Sequence, residues 1–209
     1  MIQAYTGLPG TGKTFAMVYD AIPLIRSGAK VISNFPVKWM EGKKEYKTLF
    51  LNPVDFLTAI EYENNATFLV DECNVIFSSY DDAKKIDRGL LNKFAQGRKL
   101  NLDFYYTSQR FNHSLKRLRD LTNIVIQARK RVFFTFTFFQ NTYYNPIVFD
   151  RQNVLDTPLE EKYIIKRRLI LPFQVSGVYK KYDTNFIVRS KSEWITRNDK
   201  PIDHTPIEI

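Results

Sequence analysis

The chain has 209 residues, of which 44% are hydrophobic and 25% charged, a balance that is typical of a folded globular protein and excludes wholesale disorder. Lysine and arginine number 31 against 22 acidic residues, and the formal charge of +9 favours phosphate-rich partners. The single cysteine excludes an internal disulfide and a cysteine-based zinc cluster, and the lack of a signal sequence or a long apolar run predicts an intracellular protein.

Strand and helix signals alternate in the first 65 residues. Residues 1–7 are a short β-type run that ends in a glycine turn, and residues 11–28 then have the pattern of a helix. Residues 29–35 predict a second strand, and the charged stretch 38–47 predicts an exposed loop. An asparagine cap followed by proline begins a short amphipathic helix over 52–65.

The same alternation continues to about residue 130. Residues 67–72 are a buried-strand run that ends in two acids, and residues 84–99 place four apolar side chains on one helical face. Residues 102–110 predict a strand with a polar end, 114–121 a short basic helix and 123–130 a further strand. Alternating strands and helices predict an α/β fold, with a mainly parallel sheet flanked by helices on both faces.

The pattern changes from residue 131 onward. Aromatic residues alternate with threonine in residues 132–140, which predicts a β-hairpin arm or an antiparallel sheet edge. Aromatics at period two fill a core more often than they stack on unpaired bases, so we expect them to be buried. No pattern in the remaining C-terminal part places its elements.

Residues 7–14, GLPGTGKT, match the spacing of a phosphate-binding P-loop between a strand and a helix. Glycines allow consecutive N–H groups to face phosphates, and the helix adds its positive end. Lys13 can then reach the β and γ phosphates, and the Thr14 hydroxyl is placed to bind magnesium. The alternative is a glycine-rich turn that merely joins strand to helix. The predicted nucleotide-binding residues are Gly7, Leu8, Pro9, Gly10, Thr11, Gly12, Lys13, Thr14 and Phe15.

Polar side chains follow two other predicted strands. Asp71 is expected to hold the magnesium shell, and Glu72 to polarise the attacking water. Two close carboxylates repel, but a divalent ion reverses that penalty; a solvated turn is the alternative. Gln109, at the end of the next strand, could sense the γ-phosphate or align water. Cys73 is predicted to be a packing residue.

These motifs together resemble the FtsK/HerA branch of additional-strand P-loop ATPases. Within it, two groups are similar: the zonula occludens toxin-like assembly ATPases of filamentous phages, and the genome-packaging ATPases of icosahedral viruses with an internal membrane, turreted archaeal viruses among them. The matching segments are TGLPGTGKT, SGAKVISNFP, FLVDEC and GRKLNLDFYYTSQR leading into SLKRLRDLTN, over about residues 1–130. The resemblance implies a RecA-like P-loop NTPase domain over 1–209, with its core in about 1–130 and a β-rich, basic extension over 131–209.

The resemblance implies an ATP- and Mg²⁺-dependent motor that packages a viral genome into a preformed capsid. Such a motor is a homo-oligomeric ring that moves double-stranded DNA without reading its sequence, in the host cytoplasm or on the virion, with a capsid or membrane-vertex protein as a further partner. By position, Lys13, Glu72 and Gln109 are the catalytic residues, and Thr14 and Asp71 hold the metal. Arg98 falls where such ATPases supply an arginine finger to a neighbouring subunit. Arg88 and Arg119 are the alternatives.

Three basic clusters fit phosphate contacts that are independent of base sequence. They are Lys116, Arg117 and Arg119; Arg129, Lys130 and Arg131; and Lys166, Arg167 and Arg168.

Other functions remain open from the sequence. The filamentous-phage ATPases commonly carry a membrane segment after the ATPase region, and none is visible here, which favours packaging over extrusion. A small-molecule kinase is an alternative, because GxPGxGKT also opens nucleotide kinases. A nucleotide-switched scaffold that hydrolyses slowly is another.

Overall fold

The computed structural model describes residues 1–77, 93–134, 136–146 and 164–183, together with Phe186 and Val188. The strands are β1 (Ile2–Thr6), β2 (Val31–Ser33), β3 (Lys38–Glu41), β4 (Lys44–Lys47), β5 (Leu49–Phe50), β6 (Thr67–Val70), β7 (Asp103–Ser108), β8 (Ile124–Phe133), β9 (Phe136–Tyr144) and β10 (Ile164–Ile170). The helices with described bounds are α1 (Lys13–Arg26), α2 (Pro53–Tyr62), α3 (Cys73–Ile76), α4 (Lys116–Leu121) and α5 (Pro172–Tyr179). Most of the helix predicted over 84–99 lies outside the described residues. The part that is described begins at residue 93, and residues 93–95 are helical.

Eight of the strands form one sheet in the order β10-β9-β8-β1-β7-β6-β2-β5. The pairs from β8 to β5 are parallel, and β9 and β10 add an antiparallel edge. All residues of β1 and β6 are buried, as expected for central strands that are covered on both faces. The predicted α/β class with a mainly parallel sheet is therefore confirmed.

Two apolar cores lie on opposite faces of the sheet. One includes Phe15, Met17 and other residues of α1, together with Val175 and Val178 of α5. The other includes side chains of α2, α3 and α4, which pack on β6 and β7. Alternate residues of each strand therefore face different helices, and helices cover both faces of the parallel part of the sheet.

Residues 38–47 form a β-hairpin, β3–β4, and the prediction of an exposed loop was wrong. Trp39 is buried and stacks on its cross-strand partner Tyr46, with ring centroids 5.2 Å apart. Gly42 begins the two-residue turn with φ +62°. Lys38 of β3 forms an ion pair with Glu45 of β4 at 3.0 Å, so charge of both signs is accommodated in the hairpin.

The strand predicted over 123–130 is longer than expected, because β8 continues to Phe133 and returns as β9. The aromatic side chains of this hairpin differ in burial. Phe139 is fully buried, whereas Phe133, Phe134 and Phe136 are 65%, 85% and 62% exposed. The hairpin prediction holds, and the expectation of buried aromatics fails for the distal part, where no other layer of the described protein covers them.

The C-terminal part crosses back to the edge of the sheet at which β2 ends. After β10 and α5, Lys181 accepts a hydrogen bond from the backbone N–H of Lys38 at 2.8 Å, and Tyr182 forms a bridge with Val37. These contacts place the segment next to the end of β2. None of the helices with described bounds has both the length and the apolar character needed to cross a bilayer.

Candidate functional site

Three neighbouring strands end at the same place on the sheet. The parallel registers pair Thr6 of β1 with Ser108 of β7, and Val70 of β6 with Tyr106 of β7. The residues that follow these strands, Gly7, Asp71 and Gln109, therefore share one edge, as the sequence predicted. The carboxyl edge of a parallel sheet is where α/β proteins bind ligands.

The loop between β1 and α1 has the left-handed backbone that its glycines allow. Gly10 and Gly12 have φ of +76° and +90°, and Thr11 donates its backbone N–H to the carbonyl of Leu8 at 3.2 Å. Gly12 also lacks space for a side chain, since a Cβ there would lie 2.2 Å from Cε1 of Phe139. The conformation is fixed by the loop and by the core beneath it.

Lys13 opens α1 and is buried, with 6% of its surface exposed. Its ammonium donates to the carbonyl oxygen of Leu8 at 3.3 Å, so the charged group lies within the curve of the loop. The ammonium of Lys13 is therefore positioned to donate hydrogen bonds to an anion bound in the loop.

Asp71 connects four elements of the fold. Its Oδ1 accepts from the hydroxyls of Thr14 at 2.8 Å and Thr107 at 2.7 Å. Its backbone N–H donates to Asn34 Oδ1 at 2.8 Å, and its carbonyl accepts from Asn34 Nδ2 at 2.9 Å. Burial raises the pKa of the Asp71 carboxyl, and the two threonine hydroxyls oppose that rise. The helix N-terminus and the acidic strand end are thus joined directly.

Glu72 has an unusual backbone for a residue other than glycine, with φ +46° and ψ +57°. Its N–H donates to the Thr107 hydroxyl at 2.9 Å, which helps to hold this conformation. Burial and the neighbouring charge of Asp71 raise the pKa of its carboxyl, and Lys13 lowers it. Backbone strain of this kind concentrates at functional sites.

The other predicted residues differ in their position relative to this edge of the sheet. Gln109 is exposed directly after β7, at the level of the loop. Arg98 is exposed in the turn that precedes β7, so it lies at the opposite edge of the sheet from the phosphate loop. Arg119 lies in α4 and donates to Asn112 at 3.3 Å. Arg88 is outside the described residues.

A cavity of about 330 Å³ lies over the loop, within the range of small-ligand sites. One side is formed by the loop, Asp71 and Glu72, and the other by Phe35 and the C-terminal residues Tyr179, Tyr182 and Asp183. Tyr182 packs edge-on against Phe35 with centroids 6.3 Å apart. The segment that closes the site therefore comes from the far end of the described chain.

Sequence reasoning missed several residues of this site. Asn34 and Thr107 hold Asp71, but each is a lone polar residue near a strand end, and only the strand register reveals its partner. Tyr182 lies in the C-terminal part of the chain, where no sequence pattern predicted an element. Cys73 is fully buried, and burial raises the pKa of its thiol, as expected for a packing residue.

Comparison with known proteins places the chain in a family. Residues 1–184 match the family model described as Zonular occludens toxin (Zot). The crystal structure of the N-terminal domain of zonular occludens toxin from Neisseria meningitidis is similar, with a TM-score of 0.56 and 16% identity, over 87% of this chain and 98% of that one. The genome packaging NTPase B204 from Sulfolobus turreted icosahedral virus 2, in complex with sulfate, has a TM-score of 0.50 and 9% identity, over 82% and 96%.

A search of curated proteins found no match. The structural likenesses, at such low identity, show a shared P-loop NTPase fold. The family match covers most of the chain and includes the phosphate loop, the acidic strand end and Tyr182. The chain therefore belongs to the zonular occludens toxin family.

Proposed function

We propose that the chain is a magnesium-dependent ATPase that moves DNA during virus assembly. The observation that carries this proposal is the 2.8 Å hydrogen bond from Thr14 to Asp71. It joins the residue after the P-loop lysine to the acid that follows β6, two strands away from β1, which is the pairing that a magnesium nucleotide requires.

The donor set fits magnesium, which prefers oxygen ligands. The Thr14 hydroxyl and the Asp71 carboxylate are both oxygen donors and lie within hydrogen-bond distance of each other. When bound, the ion would neutralise charge on the phosphate oxygens. Thr107 and Asn34 would orient Asp71, because they hold its carboxylate and its backbone.

Other residues of the site have complementary roles in this proposal. Lys13 and the backbone of the loop bind phosphates, and Glu72 accepts a proton from the attacking water. A raised pKa makes the Glu72 carboxylate a stronger base than an ordinary glutamate. Gln109 aligns that water from the end of β7. The wall formed by Tyr179 and Tyr182 helps to exclude bulk solvent.

Exposed cations support DNA as the substrate that is moved. Lys116, Arg117, Lys166 and Arg167 are exposed, and the net charge of the chain is +9. Arg168 is less exposed than these four residues and forms an ion pair with Asp20 at 2.7 Å. Phosphate contacts of this type are insensitive to base sequence and weaken with salt, which suits a translocating motor.

Two uses of such a motor fit the findings. Membership in the zonular occludens toxin family favours assembly and extrusion of a filamentous phage. The fold shared with a genome packaging NTPase is compatible with filling of a preformed capsid, the use that the sequence favoured. Both require hydrolysis that responds to DNA.

The test is ATP hydrolysis by the purified full chain, with and without DNA, over a range of salt concentrations. We expect stimulation by DNA, and a loss of about 100-fold or more in Lys13→Ala and Glu72→Gln. The exposed residues Lys43 and Glu61 provide matched controls, since Lys43→Ala and Glu61→Gln should hydrolyse ATP normally.

Three results would redirect the proposal. Hydrolysis that ignores DNA at every salt concentration would remove translocation. Transfer of the γ-phosphate to a nucleotide acceptor would identify a kinase. Tight nucleotide binding with turnover far below one per minute, even with DNA, would identify a switched scaffold.

A further inference from the structure

The β8–β9 hairpin extends well beyond the rest of the sheet. Pairing of β8 with β1 ends at Gln127, so the six residues up to Phe133 continue about 20 Å past that edge. Pairing of β10 with β9 ends at Phe139. The remaining two-stranded end of the hairpin, the described residues 131–134 and 136–138, is named the arm tip.

The arm tip exposes four large apolar side chains within five positions. Val132, Phe133, Phe134 and Phe136 are 64%, 65%, 85% and 62% exposed. Phe133 pairs with Phe136, whereas Val132 points to the other face, and Phe134 lies in the turn. Apolar surface therefore surrounds the end of the hairpin, which water does not favour.

Positive charge lies directly behind this apolar end. Arg129, Lys130 and Arg131 are consecutive and exposed, and the sequence from Gln127 to Thr142 contains no acidic residue. From the end of the hairpin inward, the surface is thus apolar and then basic before the body of the protein begins.

We propose that the arm tip docks on an anionic membrane surface. The phenylalanine side chains would enter the boundary between headgroups and acyl chains, and the three cations would contact lipid phosphates one layer farther out. The order of apolar and basic residues along the hairpin matches the order of these layers in a bilayer. The proposal concerns a surface separate from the nucleotide site and does not depend on ATP hydrolysis.

The same features disfavour two other partners. A second copy of the arm would bring together two sets of three cations without a compensating acid. Unpaired bases stack on an open ring face, but Phe133 and Phe134 meet edge to face, with centroids 4.7 Å apart and planes at 81°. Aromatic rings on all sides of the arm tip therefore suit insertion into a lipid layer better than stacking on the bases of a single strand.

The experiment is cosedimentation of the full chain with lipid vesicles. Vesicles of phosphatidylcholine alone are compared with vesicles that also contain phosphatidylglycerol. We expect binding to the anionic vesicles, about 100-fold weaker in the double variant Phe133→Ser, Phe134→Ser. Phe173→Ser is the control, because Phe173 is 72% exposed on α5 and outside the arm. In Phe134→Trp, tryptophan emission should shift to the blue on binding.

Charge is tested separately. The pair Arg129→Gln, Arg131→Gln should bind the anionic vesicles about 20-fold more weakly, whereas Lys116→Gln, Arg117→Gln should bind as the unchanged chain does. Circular dichroism melting confirms that each variant folds. If the double phenylalanine variant does not fold, Phe134→Ser, at the most exposed of these positions, replaces it with an expected loss of about tenfold.

Several outcomes would overturn the proposal. The unchanged chain could ignore both kinds of vesicle, or the arm variants could bind as well as the controls. Loss of oligothymidine binding in the arm variants, without any vesicle binding by the unchanged chain, would assign the arm to single-stranded nucleic acid. If the unchanged chain does not bind vesicles and the arm variants lose self-association, the arm is instead a contact between two copies of this chain.

Discussion

Gly12 has both a left-handed backbone conformation and no room for a side chain. Its φ of +90° is one that other residues adopt at a cost, and a Cβ at this position would overlap the ring of Phe139. That ring cannot move easily, because it stacks on Phe15 with centroids 4.2 Å apart. The phosphate loop is therefore built against the core, and its glycine serves packing as well as backbone geometry.

We expect Gly12→Ala to lower the free energy of unfolding by about 2–4 kcal/mol, the sum of a left-handed alanine and an overpacked core. It should also abolish nucleotide binding. Gly28→Ala is the control, since Gly28 has φ +81° but nothing within 4 Å of its Cβ position; its cost should be about 1–2 kcal/mol with binding intact. Urea unfolding and nucleotide titration measure both. Equal costs for the two variants would show that the Phe139 contact is unimportant.

Asp20 is a mostly buried carboxylate outside the nucleotide site. It accepts from the hydroxyls of Tyr5 at 3.1 Å and Tyr143 at 3.0 Å, and from Arg168 at 2.7 Å. Burial raises its pKa above the ordinary value of 3.8, and Arg168 opposes that rise. The carboxylate ties α1 to β9 and β10, and its charged form is disfavoured by the surroundings.

The sign of the pH effect follows from this shift. The native carboxyl binds its proton more tightly than the unfolded chain, so its contribution to stability is present below pH 3.8 and is lost as pH rises through the raised pKa. We expect Asp20→Asn to remove this loss. The difference in unfolding free energy between the two proteins, from urea titrations at successive pH values, should therefore move in favour of the variant as pH rises. A difference independent of pH would contradict the shift.

At the scale of the elements, the C-terminal segment after α5 contributes one wall of the site. Tyr182 bridges to Val37, contacts Phe35 and lines the cavity over the loop. Burial raises its pKa well above that of an ordinary tyrosine, and the negative charge of Asp71 adds to the rise. The hydroxyl is therefore neutral, and the side chain serves as a wall of the cavity.

We expect Tyr182→Ala to weaken nucleotide binding about tenfold, because one wall of the cavity is removed. Isothermal titration with an ATP analogue at a temperature where both proteins are folded measures this. Tyr62→Ala is the control, since Tyr62 is 72% exposed. Unchanged affinity in Tyr182→Ala would show that the segment does not contribute to the site.

Sequence patterns predict those elements whose signal is local. The apolar runs of β1 and β6 and the asparagine cap of α2 are contiguous in sequence, and the structure has them where they were expected. The β3–β4 hairpin was missed, because the stacking of Trp39 on Tyr46 outweighs a charged composition. The position of α5 depends on packing against β9 and α1, which no local pattern encodes.

The residues of the candidate site also differ in whether a local sequence pattern predicts them. The glycines, Lys13 and Thr14 are adjacent in sequence, and their spacing alone predicts the loop. Asn34 and Thr107 were invisible, because they meet Asp71 only through the pairing of β2, β6 and β7. Residues that hold another side chain in place carry no motif of their own, so the structure was needed to find them.

At the scale of the whole molecule, the position of Arg98 limits what it can do. It precedes β7, whereas the phosphate loop lies at the other end of that strand, about 20 Å away. Arg98 therefore cannot reach the nucleotide of its own chain. A role in catalysis requires a second subunit whose nucleotide edge faces this end of the sheet.

We expect Arg98→Ala and Lys13→Ala to be inactive alone and active when mixed. In a ring, a subunit with an intact loop can lie beside one with an intact arginine, so random mixing at equal amounts should restore about a quarter of the sites. Hydrolysis by the mixture, compared with each variant, measures this. Failure to recover in a mixture shown to co-assemble would exclude Arg98 as the trans arginine.

The contact between Gly12 and Phe139 also has a mechanical consequence. Phe139 lies on β9 at the base of the arm tip, three residues from Phe136 at its distal end. Protein interiors are close-packed and barely compressible, so a shift of the loop must displace the ring and the strand that carries it. A ligand that shifted the phosphate loop would therefore also change the angle at which the arm tip, about 10 Å long, leaves the body of the protein.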